Sequence, residues 1–302
     1  MMRFTFAYIA FVVLAPFFVV ADENLDESKA IAKIELLGGM VARDDTEPDR
    51  PVTGIDFQGS TRISDAYLHL LRACKRLRSL NLTGTKVTDD GMTVVGELNE
   101  LTGLNLTLTH VTDVGLKEIS KLKNLKSVEF AGTKITDAGL KAIREFQNLK
   151  SLGLSRTAIT DAGLKEIKLL TNLTYLGLYG TKITDEGLKE ISGLVNVTDL
   201  NLVGTQITGN GLKELRGMKM LNSLRLAGTK ITDLSMKELG DFTQLTTLDL
   251  DSTPITDDGL KELRKLVNLK DLDLRRTTVT QSGEDKLKES LPKVRIKRAH
   301  GK

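Results

Sequence analysis

A 24-residue phrase recurs without insertion or deletion from Leu77 to Asn268, and its clearest copy is LTYLGLYGTKITDEGLKEISGLVN at residues 173–196. The 192 residues of that span hold eight copies in register. Self-similarity at a fixed period of this length means that one supersecondary unit stacks on the next, so the chain folds as a solenoid in which each repeat touches its neighbours. An array of this kind generates surface, which points to binding ahead of catalysis.

The chemistry of one copy sets the local structure. Leu176 and Leu178 alternate with Tyr175, Gly177 and Tyr179, the period of a strand with one buried face. Thr181 follows in a turn, and its column (85, 109, 133, 157, 205, 229, 253 and 277) is expected to bond backbone groups of the neighbouring coil. Ile183 returns to the core, and Thr184-Asp185 offers a helix N-cap with a carboxylate in the first turn. Leu188, Ile191 and Leu194 point inward, Lys189 and Glu190 face water, and Gly187 is expected to admit the backbone of the adjacent coil. Strand, turn, short helix and turn, stacked, give a parallel sheet on one side and helices on the other.

The LxxLxLxxTxITDxGLKEL pattern, read over Val52 to Ile296, resembles leucine-rich repeat proteins, in particular the many-copy secreted bacterial ones. The resemblance implies an α/β horseshoe with a parallel sheet on its concave face and short helices on its convex face. The ITDxGL segment is also similar to the repeats of F-box proteins in ubiquitin ligases, which implies an adaptor role in protein turnover. Here Thr stands where those repeats tend to carry Cys, and the N-terminus leaves no room for an F-box.

The ends depart from the repeat. Residues 1–21 carry Arg3, an apolar run from Phe4 to Val20 and Val19-Val20-Ala21 before Asp22, which reads as a signal peptide and an exported protein: periplasmic, cell-envelope or secreted. The alternative is an uncleaved anchor, for which the run is short and interrupted by Pro16. Residues 22–51 read as an N-terminal cap, with a helix through Ala30, Ile31, Ile34 and Leu37, a stop at Gly38-Gly39 and a short strand at Met40 to Arg43. The solenoid proper takes residues 52–298, with a first repeat of 25 residues, a polar last helix (QSGEDKLKES) and a closing strand near Ile296. A basic tail at 299–302 ends the chain, with fraying expected from Lys297. Cys74 stands alone, so no internal disulfide forms, and a buried unreactive thiol is expected.

Forty-three Lys and Arg against 40 Asp and Glu leave no charge excess of the kind that nucleic acid requires. Histidines stand only at 69, 110 and 300, and there is no HExxH, paired CxxC, GxSxG, phosphate loop or dinucleotide fingerprint. The expectation is therefore a non-enzymatic module with no cofactor and no metal, recognising a protein partner; membrane contact would come only through an uncleaved N-terminal segment. Against a sheet face of small polar residues, Tyr175 and Tyr179 stand out, beside Gly153 and Gly177, which would leave backbone bare. Arg156, Asp199 and Asn201 lie near, and tyrosine is a common interface anchor, although an exposed pair can also be plain sheet packing. A second group comprises Asp249, Asp251, Asp271 and Asp273. These read either as an oxygen-ligand cation site or acidic docking patch, or as an ion-pair network in which Arg225 flanks Asp249 and Arg275 flanks Asp251. The alternative to a partner-binding module is a structural or cell-envelope protein that displays its surface with no single hot spot. Four Asn-x-Thr sequons (Asn81, Asn105, Asn172, Asn196) follow from the repeat consensus itself.

Overall fold

Twelve strands in sequence order make one sheet, each hydrogen-bonded to the next. The structure is a computed structural model that describes residues 26–298, so the signal peptide expected at 1–21 and the basic tail expected at 299–302 lie outside the described residues. β1 (Met40–Arg43) runs antiparallel to β2 (Val52–Asp56), and every later pairing is parallel. The regular strands are three residues long: β3 (Ser79–Asn81), β4 (Gly103–Asn105), β5 (Ser127–Glu129), β6 (Ser151–Gly153), β7 (Tyr175–Gly177), β8 (Asp199–Asn201), β9 (Ser223–Arg225), β10 (Thr247–Asp249), β11 (Asp271–Asp273) and β12 (Arg295–Lys297). Between strands the chain returns through a short helix such as Asp185–Ile191, or a 3-10 helix such as Gly139–Glu145 and Leu212–Gly217. The result is an open horseshoe with the sheet inside and the helices outside.

One continuous apolar core runs from Ile31 to Val294. In the 173–196 repeat Leu173, Leu176, Leu178, Ile183, Leu188, Ile191 and Leu194 are fully buried, at about 1.5–3 kcal/mol of transfer free energy each. At one end, helix α1 (Glu27–Leu36), capped by Asp26 accepting from Lys29 N at 2.8 Å, lays Ile31 and Ile34 on the first coil. At the other, Gln281–Ser290 buries Leu287, and Lys297, where fraying was expected, is the last residue of β12 in register with Asp273. Cys74 is buried, and burial pushes its thiol up to about 11, the behaviour of an unreactive core residue.

The coils are tied together differently from the sequence expectation. Thr181 Oγ1 donates to Leu178 O within its own coil, at 2.6 Å, and the same bond recurs along the column, as at Thr85 and Thr229. The main chain already links the coils there, because Gly180 N donates to Val203 O at 2.8 Å, so the buried hydroxyl closes the local turn. The inter-coil side-chain link comes from the aspartate that follows the N-cap residue, a threonine or, before Asp65, Ser64. Asp161 accepts from both Thr184 N (2.8 Å) and Thr184 Oγ1 (2.6 Å) of the next coil, and Asp65, Asp89, Asp113, Asp137, Asp185, Asp233 and Asp257 repeat the arrangement. Gly187 makes room for that carboxylate: an added Cβ would overlap Asp161 Oδ1, so the close neighbour is a side chain and not backbone. A second ladder runs along the opposite turn, where Asn196 Nδ2 donates to Thr171 O at 2.9 Å and Asn124, Asn148, Asn172 and Asn268 do likewise.

Both ladders lapse in one repeat. Gly209 stands where the aspartate belongs and Met220 where the asparagine belongs. Ser235 occupies the position that is glycine in the other copies, and its hydroxyl fills the vacated space, accepting from Thr232 N at 3.2 Å and donating to Thr232 O at 2.8 Å. The two changes are reciprocal, since a Cβ on Gly209 would overlap Ser235.

Candidate functional site

Two rows of side chains cross the concave face, set by parallel register. The first runs Ser127, Ser151, Tyr175, Asp199, Ser223, Thr247; the second runs Glu129, Gly153, Gly177, Asn201, Arg225, Asp249, Asp273. Tyr179 and Arg156 lie in the turns just beyond the strands. The register thus brings Tyr175, Asp199, Asn201 and Arg225 together on β7–β9, with Tyr179 and Arg156 alongside, and keeps Asp249, Asp251 and Asp273 in a separate group on β10–β11.

The glycines are not bare. A Cβ on Gly153 would overlap the Glu129 carboxylate, which reaches over from the residue directly opposite on β5. A Cβ on Gly177 would lie 2.7 Å from the hydroxyl of Tyr175, two residues back on the same face of the same strand. Missing side chains leave notches, and the nearest long side chains lie down in them. Both glycines are consequently buried while Tyr175 is half-buried. Burial first, then the charges of Glu129 and Asp199, push the Tyr175 hydroxyl above its ordinary range, partly offset by Arg225 and by hydrogen bonding with Asn201.

Arg156 and Tyr179 form a second unit. Arg156 Nη2 donates to the Tyr179 hydroxyl at 2.8 Å, and the guanidinium carbon lies 4.9 Å from the ring centroid. Arg156 holds a φ of +55° at a position that Gly132, Gly180 and Gly204 fill in neighbouring repeats. A bulky residue in this left-handed region is uncommon, and Leu108 holds the same conformation at the equivalent position with a φ of +56°. Arg276 repeats the device, with a φ of +54° and an ion pair to Asp251.

Asp199 is paired with Arg225, Nη2 to Oδ2 at 3.2 Å, diagonally across β8 and β9. Its other oxygen, Oδ1, is buried without a hydrogen-bond partner, as is the hydroxyl of its register neighbour Ser223. The expected pairing of Arg225 with Asp249 does not form. Asp249 lies directly beside Arg225 in register, but its Oδ1 accepts from Asp251 N at 3.0 Å, and the guanidinium goes to Asp199 instead. The remaining acids are neutralised locally: Arg275 reaches Asp273 at 2.7 Å and Asp251 at 3.7 Å, and Arg295 reaches Asp271 at 2.7 Å. The Arg276 hydrogen bond holds the Asp251 carboxyl below its ordinary range, whereas burial, with Asp273 and Asp251 close by, pushes Asp249 up. Among the described residues no group of three or more His, Cys, Asp or Glu is arranged to hold a metal ion, and no helix is long and apolar enough to cross a membrane. The asparagines of the four sequons already bond backbone: Asn81 and Asn105 accept from Thr83 N and Thr107 N, and Asn172 and Asn196 serve the turn ladder.

Sequence reasoning missed Glu129 and Arg276. Glu129 is half-buried, and burial pushes its carboxyl up. The signal that could have found it is the pair of glycines in its row, which only long neighbouring side chains would cover.

The leucine-rich repeat family matches residues 73–96, 99–120, 121–143, 147–168, 170–192, 194–215 and 243–263, more than half of the chain. The unmatched stretch between 215 and 243 contains Met220 and Ser235. No curated protein sequence matches. Among solved structures, an internalin from Listeria monocytogenes superposes with a TM-score of 0.58 at 17% identity, covering 91% of this chain and 94% of that one. The ectodomain of the Arabidopsis receptor kinase HAESA, in complex with an extended IDA peptide hormone ligand, gives 0.62 at 16% identity, over 84% of this chain and 45% of the other. The plant peptide hormone receptor RGFR1 in complex with RGF2 gives 0.51 at 20% identity, over 82% and 45%. The chain spans less than half the length of either receptor, and at these identities the likeness establishes the fold alone.

Proposed function

The chain belongs to the leucine-rich repeat family, and we propose that it is an exported, non-enzymatic module that grips a protein partner with the concave face around β7–β9. Proteins built on this scaffold are generally protein-binding modules, and two of the structures similar in fold are receptors in complex with peptide hormones. The observation that carries the reading is the unsatisfied pair, Asp199 Oδ1 and Ser223 Oγ, lying between Tyr175 and Arg225. Buried polar atoms are nearly always hydrogen-bonded, and an unpaired one costs about 1–3 kcal/mol, which a partner's N–H or hydroxyl would recover on displacing the side chains that cover the pair. Tyr175 and Tyr179 add aromatic area with little side-chain entropy to lose. The second group, on β10–β11, extends the row from Arg225 on β9 through Asp249 to Asp273, a charge pattern that a partner can match. Export rests on the composition of residues 1–21.

Substituting Tyr175 and Tyr179 together by alanine tests the face. Capture of a crosslinked partner from the envelope fraction should weaken by at least about tenfold, while the thermal midpoint changes little. Undiminished capture, or a large loss of stability, sinks the assignment and favours a display role without a hot spot. N-terminal sequencing of the mature protein should begin at Asp22; an intact Met1 on cytoplasmic protein would revive the adaptor reading.

A further inference from the structure

Glu129 has no counterpart to its charge. The acids on the concave face from β8 to β11 mostly carry an arginine: Arg225 on Asp199, Arg275 and Arg276 on Asp251, Arg275 on Asp273, Arg295 on Asp271. Among the described residues no cation and no N–H donor reaches the Glu129 carboxylate. Yet that carboxylate is half-buried, seated in the space a side chain at 153 would take. Holding an unpaired carboxylate out of water is unfavourable, and burial alone pushes Glu129 toward its neutral form. Structural economy would place a small polar residue at 129, like Asn105 on one side of it.

What lies beside it explains the arrangement. Gly153 and Gly177 are register partners on β6 and β7, so the Glu129 carboxylate on the first and the Tyr175 ring on the second are side by side. They are close enough that the Glu129 charge perturbs the Tyr175 hydroxyl. A carboxylate next to an aromatic face is the pairing that holds a cation with an alkyl stem: the charge meets the carboxylate and the stem or guanidinium plane lies on the ring. Arg225 cannot fill this place, because it is engaged with Asp199 farther along the sheet.

We infer that Glu129 and Tyr175 together receive a basic side chain, arginine or lysine, from an extended segment of the protein partner. The inference rests on the reading of the concave face given above, and it specifies the chemistry of one subsite within it. The segment passes across the strands, so a basic residue seated on Glu129 leaves its neighbours over Asp199 and Ser223, where unpaired polar atoms await donors.

Panning a library of random dodecapeptides against the exported chain tests this directly. The selected peptides should share one basic residue. Synthetic copies should lose about tenfold in affinity when that residue becomes norleucine, and by the same factor against Glu129→Gln. The two losses should not add in the doubly altered complex, and the Glu129→Gln midpoint should lie at or slightly above the parent's, since the buried carboxylate has no partner in the fold and its charge is unfavourable there. Selected peptides that depend on Tyr175 but carry no basic residue, or that bind Glu129→Gln undiminished, overturn the inference and leave the proposed face standing. Peptides indifferent to the Tyr175→Ala and Tyr179→Ala pair, or a library that yields no binder, count against both.

Discussion

Asp249 and Asp257 are eight residues apart and belong to opposite faces of the same repeat. Asp257, at the start of a helix, accepts from Thr280 N at 2.7 Å and Thr280 Oγ1 at 2.6 Å of the following coil, and those bonds hold its carboxyl below the ordinary range. Asp249, on the sheet, has one backbone donor and two acidic neighbours, and its carboxyl is pushed up. The same residue type thus does two kinds of work. Aspartates that recur at the period are fully engaged in holding coils together, while on the concave face Glu129, Asp199 and Asp249 are left with unmet demands. Recurrence marks the scaffold, and incomplete satisfaction is what singles out the face proposed to meet a partner.

The largest effect should come from the periodic set. Asp161→Ala leaves Thr184 N and its hydroxyl without an acceptor between two coils and opens a gap beside Gly187. A loss of about 2–3 kcal/mol is expected in urea unfolding, because both orphaned groups pay desolvation. If Asp161→Ala melts like the parent, the distinction between the two sets of carboxylates collapses.

An intermediate effect is expected where the ladder lapses. Gly209→Asp restores the consensus carboxylate but drives it into Ser235 and places a side chain at a φ of +99°. A loss of about 1–3 kcal/mol should follow. Adding Ser235→Gly reopens the space and should recover at least half of it, a coupling that a double-mutant cycle reads directly. Additive losses would mean that Gly209 and Ser235 are unrelated departures.

Why one set was legible and the other was not follows from where the information lies. Period and alternation assign Leu176, Leu178, Ile183 and Leu188 to the core with no knowledge of any neighbour, so the horseshoe is readable from one copy. The aspartate ladder joins residue i to residue i+23, and within a single copy Asp185 looks only like a first-turn carboxylate. The reciprocal exchange at 209 and 235 is the trace of that contact in the sequence. On the concave face the rows and register were readable, because fixed repeat length dictates them. Which carboxylate takes Arg225 was not: Asp249 is its register partner, yet Asp249 accepts from Asp251 N and the guanidinium pairs diagonally with Asp199. Glu129 escaped notice for a related reason, since glycines read as bare backbone conceal the side chain that covers them.

The smallest effect is also the one with an opposite sign. Asp249→Asn keeps an oxygen to accept from Asp251 N and removes a half-buried charge that lies beside Asp273. At pH 7 it should stabilise the chain by about 0.5 kcal/mol, where Asp161→Ala costs several times as much. The sign with pH is fixed by linkage. A carboxyl whose folded value is raised penalises the folded state while ionised, and the penalty fades as pH falls through that raised value. The advantage of Asp249→Asn should therefore shrink on acidification and vanish below the ordinary aspartate value of about 3.9. Asp257→Asn behaves inversely, because the depressed carboxyl supplies stability that is present above the ordinary value and lost as pH falls through the folded one. Melting curves of both variants at pH 7 and pH 3 would show the two differences converging toward zero from opposite sides. Parallel curves would mean that sheet and helix aspartates are held alike, and the concave face would lose its claim to unmet charge.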